Sequence, residues 1–133
     1  MSEDNKALVR RFYDAISAGN VDVIDELVAD DLVEHDEFPG LEPNKAGVRK
    51  FFEMMLAAFP DLTMTAEDMV AEDDKVFVRA TMSGTHQGEF LGIAATNRTI
   101  TVPMGDYVRF ADGKVVEHWG VTDTGTMMEQ LTA

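Results

Sequence analysis

The chain has 133 residues, 45% of them hydrophobic, and its 11 Lys and Arg against 25 Asp and Glu give a formal net charge of −14. That length and composition fit one globular domain over residues 1–133, and the acidity argues against nucleic acid or an anionic membrane as partner. The absence of Cys removes disulfides, thiolate catalysis and Cys-based metal sites. No apolar run reaches the roughly 18–20 residues of a membrane span, and the start, Met1-Ser2-Glu3-Asp4, is acidic where a signal peptide would be basic, so a cytoplasmic protein is expected.

Leu8, Phe12, Ala15 and Ile16 fall on one helical stripe, and Gly19 is placed to end it. Asn20 can cap a short second helix on which Ile24, Leu27 and Val28 share a face. An acidic stretch from Asp30 to Glu42 follows, read as loop with a turn at Pro39-Gly40. Asn44 can cap a third helix carrying Val48, Phe51, Phe52, Met55 and Leu56, which Pro60 ends.

From Leu62 the period changes to two. Strands are predicted over Leu62 to Ala71 and Val76 to His86, flanking Glu72-Asp73-Asp74-Lys75. A Gly-containing loop leads to a third strand, Thr99 to Phe110, and Asp112-Gly113 turns the chain into a fourth, Val115 to Asp123. The tail from Thr124 to Leu131 forms a last turn or short helix. Three helices followed by a four-strand antiparallel meander define an α+β fold, and a sheet curled around the helix layer leaves a cavity open at one end.

An Asp112-Gly113 two-residue turn pairs Val108 with Glu117, Asp106 with Trp119 and Val102 with Asp123. Asp106, Glu117 and Asp123 then share a mostly apolar face. A carboxyl group among apolar neighbours has its charged form disfavoured, which suits it to exchange protons near neutral pH. Asp123 is the first catalytic candidate because it ends its strand where a cavity would open; the bland alternative is a turn or a cap for the tail helix. Asp106 stands ~13 Å away along the sheet, too far to share a proton with it unless a bulge intervenes.

Three histidines remain. His35 lies in the acidic run Glu34-His35-Asp36-Glu37, a setting that favours a charged imidazole but equally fits a solvated loop. His118 pairs with Tyr107 and projects from the opposite face unless Gly120 introduces a bulge. His86 completes the set, and no two of the three have local metal-ligand spacing, so no metal site is expected. Arg79 falls opposite Asp68 and reads as half of a cross-strand ion pair. No phosphate-binding Gly-rich loop and no Gly-x-Ser-x-Gly elbow occur, which leaves a reaction without cofactor as the residual option.

Several stretches are similar to a known family: Phe59-Pro60-Asp61-Leu62, the run Gly84-Thr85-His86-Gln87-Gly88-Glu89-Phe90-Leu91-Gly92-Ile93, the run Arg109-Phe110-Ala111-Asp112-Gly113-Lys114-Val115-Val116-Glu117-His118-Trp119, then Asp123 and Gln130-Leu131. Together they resemble the SnoaL-like polyketide cyclases of the nuclear transport factor 2-like superfamily. The loop after Ile93 departs from the family pattern, reading Ala94-Ala95-Thr96-Asn97-Arg98 where relatives often carry Pro-Pro-Thr-Gly-Arg.

The resemblance implies a cone-shaped, strongly curved antiparallel sheet wrapped on three N-terminal helices, around an apolar pocket, in a homo-oligomer (dimer or tetramer). It implies a cofactor-independent aldol-type cyclisation of a hydrophobic carbonyl substrate, with Asp123 as acid/base and His35 as a polar pocket residue. Asp106, Trp119, Phe12 and His118 are the substrate-binding candidates. The rival expectations are a non-catalytic small-molecule-binding protein, or a hydrolase or isomerase on the same fold.

Overall fold

Where apolar residues recur at helical spacing the chain is helical, and where they alternate it is extended. The computed structural model describes residues 2–36 and 38–132, so Glu37 of the acidic run lies outside the described residues. Helix α1 spans Ser2–Ser17 and buries Val9, Tyr13 and Ile16. It ends at Gly19, whose φ of +81° is the left-handed conformation a glycine adopts without a steric penalty. A short α2, Val23–Leu27, buries Val23, Ile24 and Leu27. Helix α3, Lys45–Ala58, opens on Asn44, whose side chain accepts the Gly47 N–H, as its sequence predicts.

The strands are β1 (Val28–Glu34), β2 (Thr63–Glu72), β3 (Lys75–Thr85), β4 (Thr99–Ala111) and β5 (Lys114–Thr122), followed by α4 (Thr124–Thr132). They form one open sheet in the order β1-β5-β4-β3-β2, curved over the helices. The predicted meander β2 to β5 is present and antiparallel, with Glu72 opposite Lys75 and Asp68 opposite Arg79. Strand β1 is the difference. Residues 28–34, read as a helix end and acidic loop, form an edge strand parallel to β5, which makes the sheet mixed. A parallel partner about eighty residues away leaves no turn signal in the sequence, and Asp30-Asp31 interrupts the alternation of Val28, Leu32 and Glu34.

The second difference is one residue of register. Phe110 pairs with Val115, but Arg109 pairs with Glu117, so Val116 is an extra residue on β5. From there on every β5 side chain changes face. His118 lies opposite Val108 and turns inward, whereas the simple hairpin register set it against Tyr107 and outward. The bulge comes at Val116, four residues before Gly120, where the sequence allows one.

The core between sheet and helices is built from Ile16, Ile24, Met55, Phe59, Leu62, Val76, Val78, Ile100 and Val102, all essentially without solvent contact. Truncating one of its large members, such as Phe59→Ala, would cost about 3–5 kcal/mol. Among the described residues no helix is long and apolar enough to cross a membrane.

Candidate active site

The inward turn of His118 creates a polar cluster at one end of an otherwise apolar cavity. β4 supplies Asp106, β5 supplies His118 and Gly120, β1 supplies Glu34, and Asp36 lies two residues past the end of β1. The parallel pairing sets Glu34 beside His118, and the His35 N–H donates to the His118 carbonyl at 2.9 Å, which fixes the two strands at this level.

His118 Nε2 lies 2.7 Å from Asp106 Oδ1, and its Nδ1 lies 2.5 Å from Glu34 Oε2. Carboxylates only accept, so an imidazole facing one at each nitrogen carries a proton on both. Burial pushes the His118 pKa down, but the hydrogen bonds and charges of Asp106 and Glu34 outweigh it and hold the value up at about 10. Tyr13 of α1 donates its hydroxyl to Asp106 Oδ2. Burial first and the Asp106 charge second hold its phenol well above the usual range, so it stays a neutral donor.

Asp36 completes the cluster. Its backbone N–H donates to Glu34 Oε2 at 3.0 Å, while its carboxylate accepts no hydrogen bond among the described residues. Asp36 is exposed, yet the desolvation it does undergo, reinforced by the Glu34 and Asp106 charges and opposed by His118, raises its pKa. Gly120 makes the placement possible, because a β-carbon there would meet Asp36 Oδ2 at 2.5 Å and His118 Cε1 at 2.9 Å.

The cavity has a volume of about 670 Å³, and Phe12, Phe52, Met55, Val78, Val108 and Phe110 are among its walls. Its charged lining consists of Glu34, Asp36, Glu42, Asp106 and His118. Among the described residues no group of three or more His, Asp and Glu is arranged to hold a metal ion. With a proton on both nitrogens, His118 offers no lone pair to one. What the cluster can do is hold a fixed positive charge beside a carboxylate that has no hydrogen-bond donor among the described residues, at the lining of a mostly apolar cavity.

Of the sequence candidates, the fold gathers Asp106, His118 and Phe12 at the cavity. Asp123 is elsewhere: it is exposed, and its carboxylate accepts the Thr126 N–H at 3.0 Å and the Thr126 hydroxyl at 2.7 Å, capping α4. Those two bonds lower its pKa, opposite to the rise expected at a cavity rim. His35 and Trp119 lie on the other side of the sheet from the cluster. Their rings stack at 4.5 Å, with His35 Nε2 2.9 Å from Glu117 Oε2, and Trp119 also contacts Tyr107 at 5.3 Å. The bulge is the physical reason, since it moves Glu117 and Trp119 outward as it moves His118 inward. Sequence reasoning missed Tyr13, Glu34, Asp36 and Gly120. The one local signal for the acidic pair was its place in the Glu34-His35-Asp36-Glu37 run.

A curved open sheet on helices, enclosing a mostly apolar chamber with an acid–imidazole cluster among its walls, defines an α+β cone with a cavity of small-molecule size. Its sequence pattern matches the SnoaL-like polyketide cyclase model over residues 7–131, and the chain belongs to that family. AclR from Streptomyces galilaeus, provisionally assigned as a hydroxylase, is 33% identical, with 98% of this chain and 97% of AclR covered and a TM-score of 0.89. IdmH from Streptomyces antibioticus, provisionally a polyketide cyclase, is 31% identical over 97% of this chain and 99% of its own, with a TM-score of 0.85. TsrD from Streptomyces laurentii is 28% identical over 98% and 96%, with a TM-score of 0.88. No curated protein matches the chain significantly.

Proposed function

We propose that the chain performs aldol-type acid/base chemistry on a hydrophobic carbonyl compound, with Asp36 as the proton-transferring group and His118 as a fixed cation. Asp36 removes a proton from the carbon α to a carbonyl. The resulting enolate oxygen develops its charge beside the His118 imidazolium, which Asp106 and Glu34 hold in place. The enolate carbon attacks a second carbonyl carbon of the same molecule, forming the new carbon–carbon bond. The alkoxide so formed takes the proton back from Asp36, which regenerates the carboxylate.

A preorganised charge in a chamber poor in water stabilises a developing oxyanion more than solvent does. A carboxylate shifted upward is also the better base at neutral pH. The observation that carries this reading is the Asp36 carboxylate, without a hydrogen-bond donor among the described residues, beside an imidazolium whose two nitrogens are already engaged. Membership in a cyclase family supports the reaction class, and the apolar lining supports a hydrophobic substrate.

Exchange of the α-protons of acetonaphthone for deuterium, followed by NMR, isolates the first step from any requirement for the true substrate. Asp36→Asn is expected to lower the protein-catalysed rate at least ~10²-fold, the usual scale for an acid/base group. Equal rates in the two proteins would remove Asp36 from this role. The likeness to AclR favours a second reading, hydroxylation of a related ring system, in which Asp36 draws the same proton, dioxygen adds at the resulting carbanion to give a hydroperoxide, and a two-electron reductant in solution cleaves that hydroperoxide to the alcohol and water. A product heavier than its substrate by one oxygen atom distinguishes it from an aldol product.

A further inference from the structure

Residues 86–98, between β3 and β4, form a strap whose two ends are fixed and whose middle carries cavity wall. At its base His86 is fully buried, and the backbone closes a small ladder, His86 N–H to the Arg98 carbonyl and Asn97 N–H to the His86 carbonyl, each at 2.9 Å. Gln87 and Gly88 donate to the Ala58 carbonyl at 2.9 and 3.1 Å, tying the strap to the end of α3. In its middle, Phe90 and Ile93 exchange two backbone hydrogen bonds around Leu91-Gly92, both at positive φ. This is a two-residue turn with a leucine in the left-handed region, where only a glycine sits without strain. Phe90 is buried and Leu91 is 56% exposed, and both line the cavity.

The His86 imidazole joins these parts. Its Nδ1 accepts the Thr96 N–H at 3.3 Å and lies 3.0 Å from Thr96 Oγ1, which in turn accepts the Arg98 N–H at 3.2 Å. Accepting at Nδ1 places the ring proton on Nε2. That atom is buried and has no hydrogen-bond partner among the described residues. The ring also packs on Phe59 at 5.5 Å, and Phe59 contacts Phe90 at 5.6 Å. A buried donor without an acceptor is unfavourable, so an apolar ring would serve better if packing were the only need at this position. What an apolar ring lacks is the Nδ1 acceptor for Thr96.

We propose that His86 is a positioning residue for ligand binding: through Thr96 on one side and Phe59 on the other, it holds the strap so that Phe90 and Leu91 form a wall against a hydrophobic ligand it does not itself touch. The inference rests on the cavity being the ligand site and needs nothing of its acid/base chemistry.

Two readouts on the intact protein test it, amide hydrogen exchange and the affinity for Nile red, a neutral apolar dye. His86→Leu removes the acceptor, and His86→Asn keeps one near the position of Nδ1. In His86→Leu, exchange of strap amides 88–97 is expected to quicken and Nile red to bind more weakly, each about 3- to 10-fold, as for one or two lost hydrogen bonds. Amides of the β3–β4 ladder should keep their rates, and His86→Asn should restore both readouts. Unchanged strap exchange and dye affinity in His86→Leu would overturn the proposal, and so would His86→Asn behaving like His86→Leu. If His86→Leu loses its fold, Thr96→Val decides: faster exchange confined to the strap supports the proposal and wild-type exchange there overturns it. Absence of dye binding by the wild-type protein would count against the cavity as ligand site, while strap exchange would still judge the role of His86. The Asp36→Asn rate addresses the chemistry separately.

Discussion

Asp36 Oδ2 lies 2.5 Å from where a β-carbon on Gly120 would stand. A side chain at position 120 and the Asp36 carboxylate therefore exclude each other, and the glycine keeps an acid at the polar end of the chamber. That acid comes from the edge strand's exit, not from β5 itself.

Gly120→Ala tests this exclusion directly. The methyl group has no room until Asp36 withdraws, and the Asp36 loop can move more readily than the sheet. We expect the fold to be kept and acetonaphthone exchange to fall at least ~10-fold, part of the loss on removing the acid itself. Proton-exchange activity at the wild-type level in a folded Gly120→Ala protein would show that the chemistry does not need Asp36 in this position.

The His118 cation makes stability depend on pH in a defined direction. Its folded-state pKa, about 10, lies above the ordinary 6.5, so the folded state binds this proton more tightly than the unfolded chain. The stabilisation is complete below pH 6.5 and is lost as pH rises through about 10. Thermal melts across that range should show the midpoint falling with rising pH. His118→Gln, which has no charge to lose, should flatten the curve, and the difference between the two proteins removes the titration of surface lysines. A wild-type curve parallel to that of His118→Gln would mean that the imidazole is not held as a cation.

Asp123→Ala separates a capping carboxylate from a catalytic one. Loss of the bonds to Thr126 should quicken amide exchange in α4, while the acetonaphthone rate stays within about threefold of wild type, far short of the ~10²-fold loss typical of an acid/base residue. A loss on that larger scale, with α4 protection unchanged, would return the catalytic role to Asp123.

Much of the fold is legible in the sequence because it depends on local periodicity and turns. The α1 stripe and its Gly19 stop, the Asn44 cap of α3, and the hairpins at Asp73-Asp74 and Asp112-Gly113 all sit where residue patterns place them. The cavity follows, since a sheet with one apolar face and amphipathic helices can bury both only against each other. Asp106 and Phe12 reach it because no register error intervenes between them and their own elements.

The geometry of the polar cluster was decided by two features without a local signature. The bulge at Val116 is an insertion of one residue, and side chains alternate with a period of two, so that single residue exchanges the fates of His118 and Trp119. The parallel pairing of β1 with β5 brings Glu34 and Asp36 to His118 from more than eighty residues away. The sequence by itself determined the helices, the four-strand meander from β2 to β5 and the apolar faces that meet between them, but not the edge strand β1. Only the tertiary structure decided which acids face His118, because that depends on strand register and on a long-range pairing that no neighbouring residues encode.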